Sequence, residues 1–348
     1  MDRYFKLLKA VSETPGAPGF EDRIRELVIG EVQELVDEIR VDRLGNVAAI
    51  KKGNSRRKLM FAAHMDEIGF IVSHIDDNGF VRFHPLGGYD PKTLTAQRVI
   101  VHGKSDLVGV MGSKPIHIMS PEERSKNVKI EDFFIDLGLP KTEVEDIVSV
   151  GDSITRERDL IEMGHCYNGK SLDNRVSVFA LIEALRGVAN VTPEYDLYAV
   201  FTVQEEVGLR GAHGATLAIQ PDVAFAIDTT IAYDVPGNMP HQQVSALGAG
   251  AGIKIMDSSV ITDRKLVSFM KDIADRASIK WQPELLPAGG TDTAVLQKMV
   301  KGGAVAGAVS VPTRHIHQVV EMVHKEDLKA VIQLVKEIIM NIGDFELE

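Results

Sequence analysis

Apolar residues recur along the start of the chain at helical spacing: Tyr4, Leu7, Leu8 and Val11 stand at i, i+3, i+4 and i+7, and the pattern breaks at Thr14-Pro15-Gly16. A second helix is predicted over about 20–36. Short uninterrupted apolar runs at 47–50 and 59–63 predict buried strands. From about Ile68 to Met163 the segments become short and alternating, punctuated by Gly79, Gly87-Gly88, Gly103, Gly109 and Gly112, which predicts an inserted small β-barrel. Beyond Leu172 helix and strand alternate again. Helices are predicted over 174–188, 264–277, 291–300 and 325–342, and strands over 197–203, 223–227 and 304–311. Strands alternating with helices imply a mainly parallel sheet covered on both faces. The expected fold is therefore α/β: a mainly parallel sheet flanked by helices, interrupted by a small β-barrel.

Composition narrows the function classes. With 348 residues, 44% hydrophobic and 26% charged, the chain can bury a large core and a second, smaller one. A formal charge of -11 repels nucleic acid. The one compact basic cluster, Lys51-Lys52 with Arg56-Arg57-Lys58, reads as a solvated hairpin turn around Gly53 and Asn54. Cys166 is alone and cannot form an intrachain disulfide. The first residues mix charge with apolar positions and contain no signal-peptide h-region, and no stretch reaches the roughly 18 apolar residues of a membrane span. These features point to the cytoplasm, without a membrane or nucleic-acid partner.

In open α/β sheets functional groups gather beyond the carboxyl ends of the strands. Each predicted buried strand runs into strongly polar residues: His64-Met65-Asp66 after 59–63, Gln204-Glu205-Glu206 after 197–203, Asp228 after 223–227, and His315-Ile316-His317 after 304–311. Asp173 opens the helix at 174–188, where it could also act as a cap. Singly, each of these is more often a cap, a salt bridge or a satisfied core histidine. Together, several carboxylates at one buried edge require cations to neutralise them. Mixed His and carboxylate donors without thiolate suit Zn²⁺, Co²⁺ or Mn²⁺, and two such ions roughly 3.5–4 Å apart make a hydrolytic site. Neighbouring residues leaving a strand point in different directions, so one of Glu205 and Glu206 can ligate while the other handles protons.

Four runs carry a resemblance: Ala63-His64-Met65-Asp66-Glu67-Ile68-Gly69, Ser171-Leu172-Asp173-Asn174-Arg175, Val203-Gln204-Glu205-Glu206-Val207-Gly208 and Pro312-Thr313-Arg314-His315-Ile316-His317. In this order they resemble the tetrahedral (TET-type) dinuclear metalloaminopeptidases, a family that includes glutamyl and deblocking aminopeptidases and relatives named as endoglucanases. Similarity extends to Pro15-Gly16-Ala17-Pro18-Gly19 and Gly289-Gly290-Thr291-Asp292. The resemblance implies a metal-dependent aminopeptidase holding two divalent ions per subunit. Asp173 would bridge them, Glu206 and His317 would complete one site, and His64 and Asp228 the other. Glu205 would be the general base and Asp66 the supporting acid that orients its histidine. It further implies a catalytic domain in two parts, 1–67 and 164–348, around a β-barrel at 68–163 that drives dimers, which assemble into a dodecamer. The chain departs from the family at His315, usually aromatic, and at Gln318, commonly serine. His315 and His317 lie two apart, and on an extended backbone they would point the same way.

Other motifs compete. Gly164 to Ser171 fits the phosphate-binding pattern G-x-x-x-x-G-K-[ST], but 156–162 is too charged for the buried strand that such a loop requires before it. A P-loop nucleotide hydrolase would also leave His64, Glu205, Glu206 and His317 unexplained. Gly248, Gly250 and Gly252 precede a strand-like Ile253-Lys254-Ile255, which predicts a tight turn near the catalytic edge rather than a dinucleotide site. His117, His213 and Cys166 read as structural. A metal-independent glycosidase would also use two carboxylates, but it expects aromatic platforms, and this chain has one Trp and six Tyr.

Overall fold

A computed structural model describes residues 3–347 of the chain. Helix α1 (Arg3–Glu13) buries Leu7, Leu8 and Val11, and Tyr4 meets Phe179 edge-on at 4.5 Å. Helix α2 (Asp22–Val32) buries Ile24, Val28 and Val32 and is shorter than its apolar pattern predicted. Strands β1 (Glu38–Val41), β2 (Val47–Lys51) and β3 (Lys58–His64) come next. The chain then leaves for β4 (Gly69–Ile75), β5 (Val81–Leu86), β6 (Arg98–His102), β7 (Asp106–Gly112), β8 (Phe134–Asp136) and β9 (Ser153–Arg156), with short helices α3 (Pro121–Ser125) and α4 (Lys141–Ile147) between them. These six strands close into an antiparallel barrel. Its core, built around Phe70, Val99, Val101, Ile135 and Ile154, is separate from that of the large sheet.

The chain returns through β10 (Ile161–Met163), β11 (Cys166–Gly169), α5 (Leu172–Gly187), β12 (Asp196–Thr202), α6 (Arg210–Ile219) and β13 (Val223–Ile231). It ends with β14 (Ala251–Met256), α7 (Arg264–Arg276), β15 (Trp281–Leu285), α8 (Thr293–Lys298), β16 (Val305–Arg314), β17 (Glu321–His324) and α9 (Lys325–Asn341). The large sheet runs β1-β2-β12-β3-β13-β16-β17-β11-β10, with β14 on β16 and β15 beyond it. Its centre, β12-β3-β13-β16, is parallel, and both flanks are antiparallel. The central strands are apolar along their length because helices cover both faces. Phe61 and Phe225 stack across β3 and β13 at 5.1 Å.

One sequence expectation changes, and the rejection of a phosphate-binding loop agrees with the structure. The basic cluster around Gly53 does not sit on a hairpin, because β12 inserts between β2 and β3 and pairs with both. Gly53 is pinned by a different approach: a Cβ there would meet the Tyr195 carbonyl carbon at 2.3 Å. The phosphate-binding pattern is a turn at Gly164 and His165 between the paired strands β10 and β11, and Lys170 Nζ donates to both carboxylate oxygens of Glu67 at 2.7 Å. No described helix is long and apolar enough to cross a membrane.

Candidate metal centre

The parallel register aligns the ends of neighbouring strands. Thr202 of β12 lies beside His64 of β3, and Ala226 of β13 lies beside Ala62, so Asp228 comes level with His64 two residues on. Asp173 reaches the same edge from the first turn of α5, where it and Asn174 depart from helical backbone geometry. The peptide bond between them is cis. Asn174 Nδ2 donates to the Ile227 carbonyl at 2.9 Å, tying this turn to β13. His317 arrives from the turn after β16.

His64 Nε2 lies 3.5 Å from Asp173 Oδ1, 3.8 Å from Asp228 Oδ1 and 4.0 Å from Glu205 Oε2. His317 Nε2 lies 3.5 Å from Asp173 Oδ2 and 3.4 Å from Glu206 Oε1. One carboxylate, Asp173, therefore stands between the two imidazoles with an oxygen toward each. Among the described residues, two sets of three donors lie within 4.8 Å of one another: His64, Glu205 and Asp228, and His64, Asp173 and Glu206. Glu205 thus stands close enough to His64 and Asp228 to count geometrically as a donor itself.

The Asp66 carboxylate engages two backbone groups beside this cluster. Its Oδ1 accepts from the Glu205 N–H and its Oδ2 from the Glu206 N–H, both at 3.0 Å. His64 Nδ1 instead meets the Asp66 backbone carbonyl at 3.0 Å, with Asp66 Oδ1 at 3.5 Å. His315 and His317 both have left-handed backbones, at φ 60 and 64. The extended geometry that would have aimed them alike is absent, and His315 lies exposed.

Two residues at the centre, Glu321 and Glu21, gave no readable sign in the sequence, and Asp292 was marked there only by the Gly289-Gly290-Thr291-Asp292 resemblance. Glu321 is fully buried; its Oε2 accepts from the Asp173 N–H and its Oε1 from the His317 N–H, both at 2.9 Å. Glu21 Oε1 accepts from the N–H groups of Gly19 and Gln204. Asp292 accepts from Thr202 Oγ1 at 2.6 Å, and its other oxygen is buried without a hydrogen bond. Their signal is confined to single acidic residues far apart in the chain.

The electrostatics arise from packing these groups together. Burial, and then the charges of Asp228, Glu206 and Asp292, push the Glu205 carboxyl well above its ordinary range against the pull of His64. Burial and the neighbouring Asp173 and Asp292 do the same to Asp228. Burial would raise Asp173 too, but His317 and His64 hold it below the usual carboxylate range. Burial works against a charged His64, yet Glu205, Asp173 and Asp66 raise it well above its usual value. His317, where burial is likewise outweighed by Asp173 and Glu206, is raised to about 11. Burial pushes Glu321 up to about 8, with Arg156 opposing and Asp173 adding to the rise.

Such a cluster without a cation can relieve its repulsion only by taking up protons. Its donors fit divalent metal ions. Four ligands about 2.0–2.1 Å from a tetrahedral ion stand roughly 3.3 Å apart, close to the 3.4–3.8 Å separations of His64, Asp173, Asp228, Glu206 and His317.

A family model for the M42 glutamyl aminopeptidases matches residues 45–334. The lysyl aminopeptidase of Pyrococcus furiosus is 36% identical over 95% of this chain and 95% of its own. The structure of a TET aminopeptidase from the marine sediment archaeon Thaumarchaeota archaeon SCGC AB-539-E09 is similar with a TM-score of 0.95, 37% identity and 99% of each chain covered. The TET1 peptidase of Pyrococcus horikoshii, which can assemble into a tetrahedron or a large octahedral shell, is similar with a TM-score of 0.88 and 33% identity, over 97% of this chain and 99% of that one. With its barrel-interrupted α/β fold, its edge of histidines and carboxylates and these likenesses over nearly its whole length, the chain belongs to the M42 glutamyl aminopeptidase family and is an aminopeptidase.

Proposed function

We propose that the enzyme removes N-terminal residues from peptides at a centre of two divalent metal ions, held by Asp173 between them, by Glu206 and His317 on one side and by His64 and Asp228 on the other. The observation that carries this is Asp173, whose two oxygens each face a different imidazole at 3.5 Å. Ions bound there supply Lewis acidity to the scissile carbonyl and acidify a water. Glu205 is the general base: its carboxyl takes the proton of the attacking water at Oε2 and returns it to the leaving amine. Asp66 supports both glutamates by accepting the N–H groups of Glu205 and Glu206, which fixes the direction in which each leaves β12. A free substrate α-amine facing the remaining carboxylates would restrict cleavage to the first residue. Zn²⁺, Co²⁺ and Mn²⁺ all suit these donors.

The barrel within 68–163 is proposed as the unit through which chains associate, first into dimers and then into larger shells; the exposed Val108 and Val110 of β7 and the exposed Ile116 and Ile118 support this role. A pair of variants separates chemistry from ligation. Glu205→Gln keeps metal content at that of the parent, measured by elemental analysis after gel filtration, and lowers kcat by about 10²–10⁴-fold. Asp173→Ala loses metal as well as activity. A Glu205→Gln enzyme with near-parental turnover would remove Glu205 from the role of base.

A further inference from the structure

Each of two buried carboxylates at the centre engages a pair of backbone N–H groups. Asp66 holds those of Glu205 and Glu206. Glu321, four residues beyond His317, holds those of His317 and Asp173, which are 144 residues apart in sequence and come from different elements. We infer that Glu321 is a positioning residue for the metal centre: it sets the backbone from which Asp173 and His317 reach the ion they share with Glu206.

The geometry gives it little else to do. Glu321 is fully buried, opens the short strand β17 and pairs by backbone with Gly169 of β11, so its place in the sheet does not depend on its side chain. Both oxygens face ligand backbones, each accepting from one N–H group. Its two tasks match two irregularities. His317 has a left-handed backbone, at φ 64, which a non-glycine residue keeps only when its surroundings hold it there. Asp173 departs from helical geometry in the first turn of α5, where N–H groups have no carbonyl partner within the helix, and its N–H donates to Glu321. Without both bonds the separation of 3.5 Å between His317 Nε2 and Asp173 Oδ2 would rest on two independent turns. The buried guanidinium of Arg156, at the end of barrel strand β9, makes no hydrogen bond among the described residues and pulls electrostatically toward Glu321, so it offsets the buried charge without competing for either oxygen.

This inference rests on the proposed metal centre, and the test keeps the two apart. The variants are Glu321→Gln, Glu321→Asp and, as the comparison, Glu206→Gln, which alters a proposed ligand. Co²⁺ and Zn²⁺ affinities are measured by competition with a chelator, alongside the thermal midpoint of the metal-free protein. Glutamine must turn its NH₂ group toward one of the two N–H donors and so keeps only one bond. Aspartate keeps both acceptor oxygens but is one methylene too short to meet both N–H groups.

The expected result is that either Glu321 variant weakens metal affinity about 10–100-fold, while its metal-free midpoint stays at the parental value. Affinity within twofold of the parent in Glu321→Gln, with Glu206→Gln impaired, overturns the positioning role and leaves the metal centre standing. Parental affinity in Glu206→Gln overturns the ligand assignment, and this inference with it. If Glu321→Gln fails to fold, Glu321→Asp is judged by the same thresholds. Failure of both to fold would make Glu321 a core residue and overturn the inference as well.

Discussion

At the scale of single residues, the centre works by giving chemically identical groups different surroundings. Glu205 and Glu206 are adjacent in sequence, yet Oε2 of the first is 4.0 Å from His64 while Oε1 of the second is 3.4 Å from His317. Asp66 makes that divergence reproducible, since one rigid carboxylate holds both N–H groups. Asp66→Asn can accept only one of the two, and is expected to lower kcat about 10–100-fold while the protein stays folded by circular dichroism. Unchanged kcat would show that the glutamates hold their directions unaided. The ligand candidates were legible in the sequence because most of them stand just past an apolar run that ends in polar groups. Glu321 and Glu21 were not, because Glu321 accepts from Asp173 and Glu21 accepts from Gln204, residues brought to them only by the fold. The relation of His315 to His317 was hidden for another reason: both have left-handed backbones, which no side-chain pattern records, so they do not leave the chain as on an extended strand.

At the scale of elements, the edge is tied together by a buried ion cluster. Glu67, three residues after His64, is fully buried and hydrogen-bonded to Lys170 and Ser171, with Arg175 Nη2 at 3.8 Å. It links the end of β3 to the start of α5, which carries Asp173. Arg175 extends the tie to α1 and the turn after it by donating to the Val11 and Thr14 carbonyls. Burial would raise the Glu67 carboxyl, but Lys170 and Arg175 hold it below its ordinary 4.5. Its folded value is thus depressed, so its stabilising contribution is present above pH 4.5 and is lost as pH falls through the folded value. Glu67→Gln is expected to destabilise the protein at neutral pH by about 3–5 kcal/mol, because it leaves buried cations unpaired, and to flatten the acid limb of stability measured by urea unfolding from pH 7 to pH 3. An acid limb as steep as the parent's would exclude Glu67 as its source. The helices and central strands themselves were readable from periodicity. Their order was not: β12 enters between β2 and β3 from nearly 150 residues away, and no local pattern encodes that pairing.

At the scale of the whole molecule, the barrel stands apart with its own core, and its β7 presents Val108 and Val110 to the outside at 59% and 50% exposure. Alternating strands normally turn such positions polar, which makes this face the natural place for chains to meet. Light scattering of the metal-loaded protein is expected to give the mass of a dimer or a larger closed assembly; a monomer at micromolar concentration would remove the barrel's proposed role. The change of texture near Ile68 made the insertion legible, whereas the number of chains in an assembly depends on angles between surfaces that sequence does not carry. The most direct test of a metal-dependent aminopeptidase is the release of N-terminal residues from paired unblocked and N-acetylated peptides by chelator-stripped protein, before and after Zn²⁺ or Co²⁺ is added. The stripped protein should be inactive, and added metal should restore cleavage of the unblocked peptides alone. Cleavage by the stripped protein at the restored rate, or equal cleavage of the acetylated peptides, would contradict it.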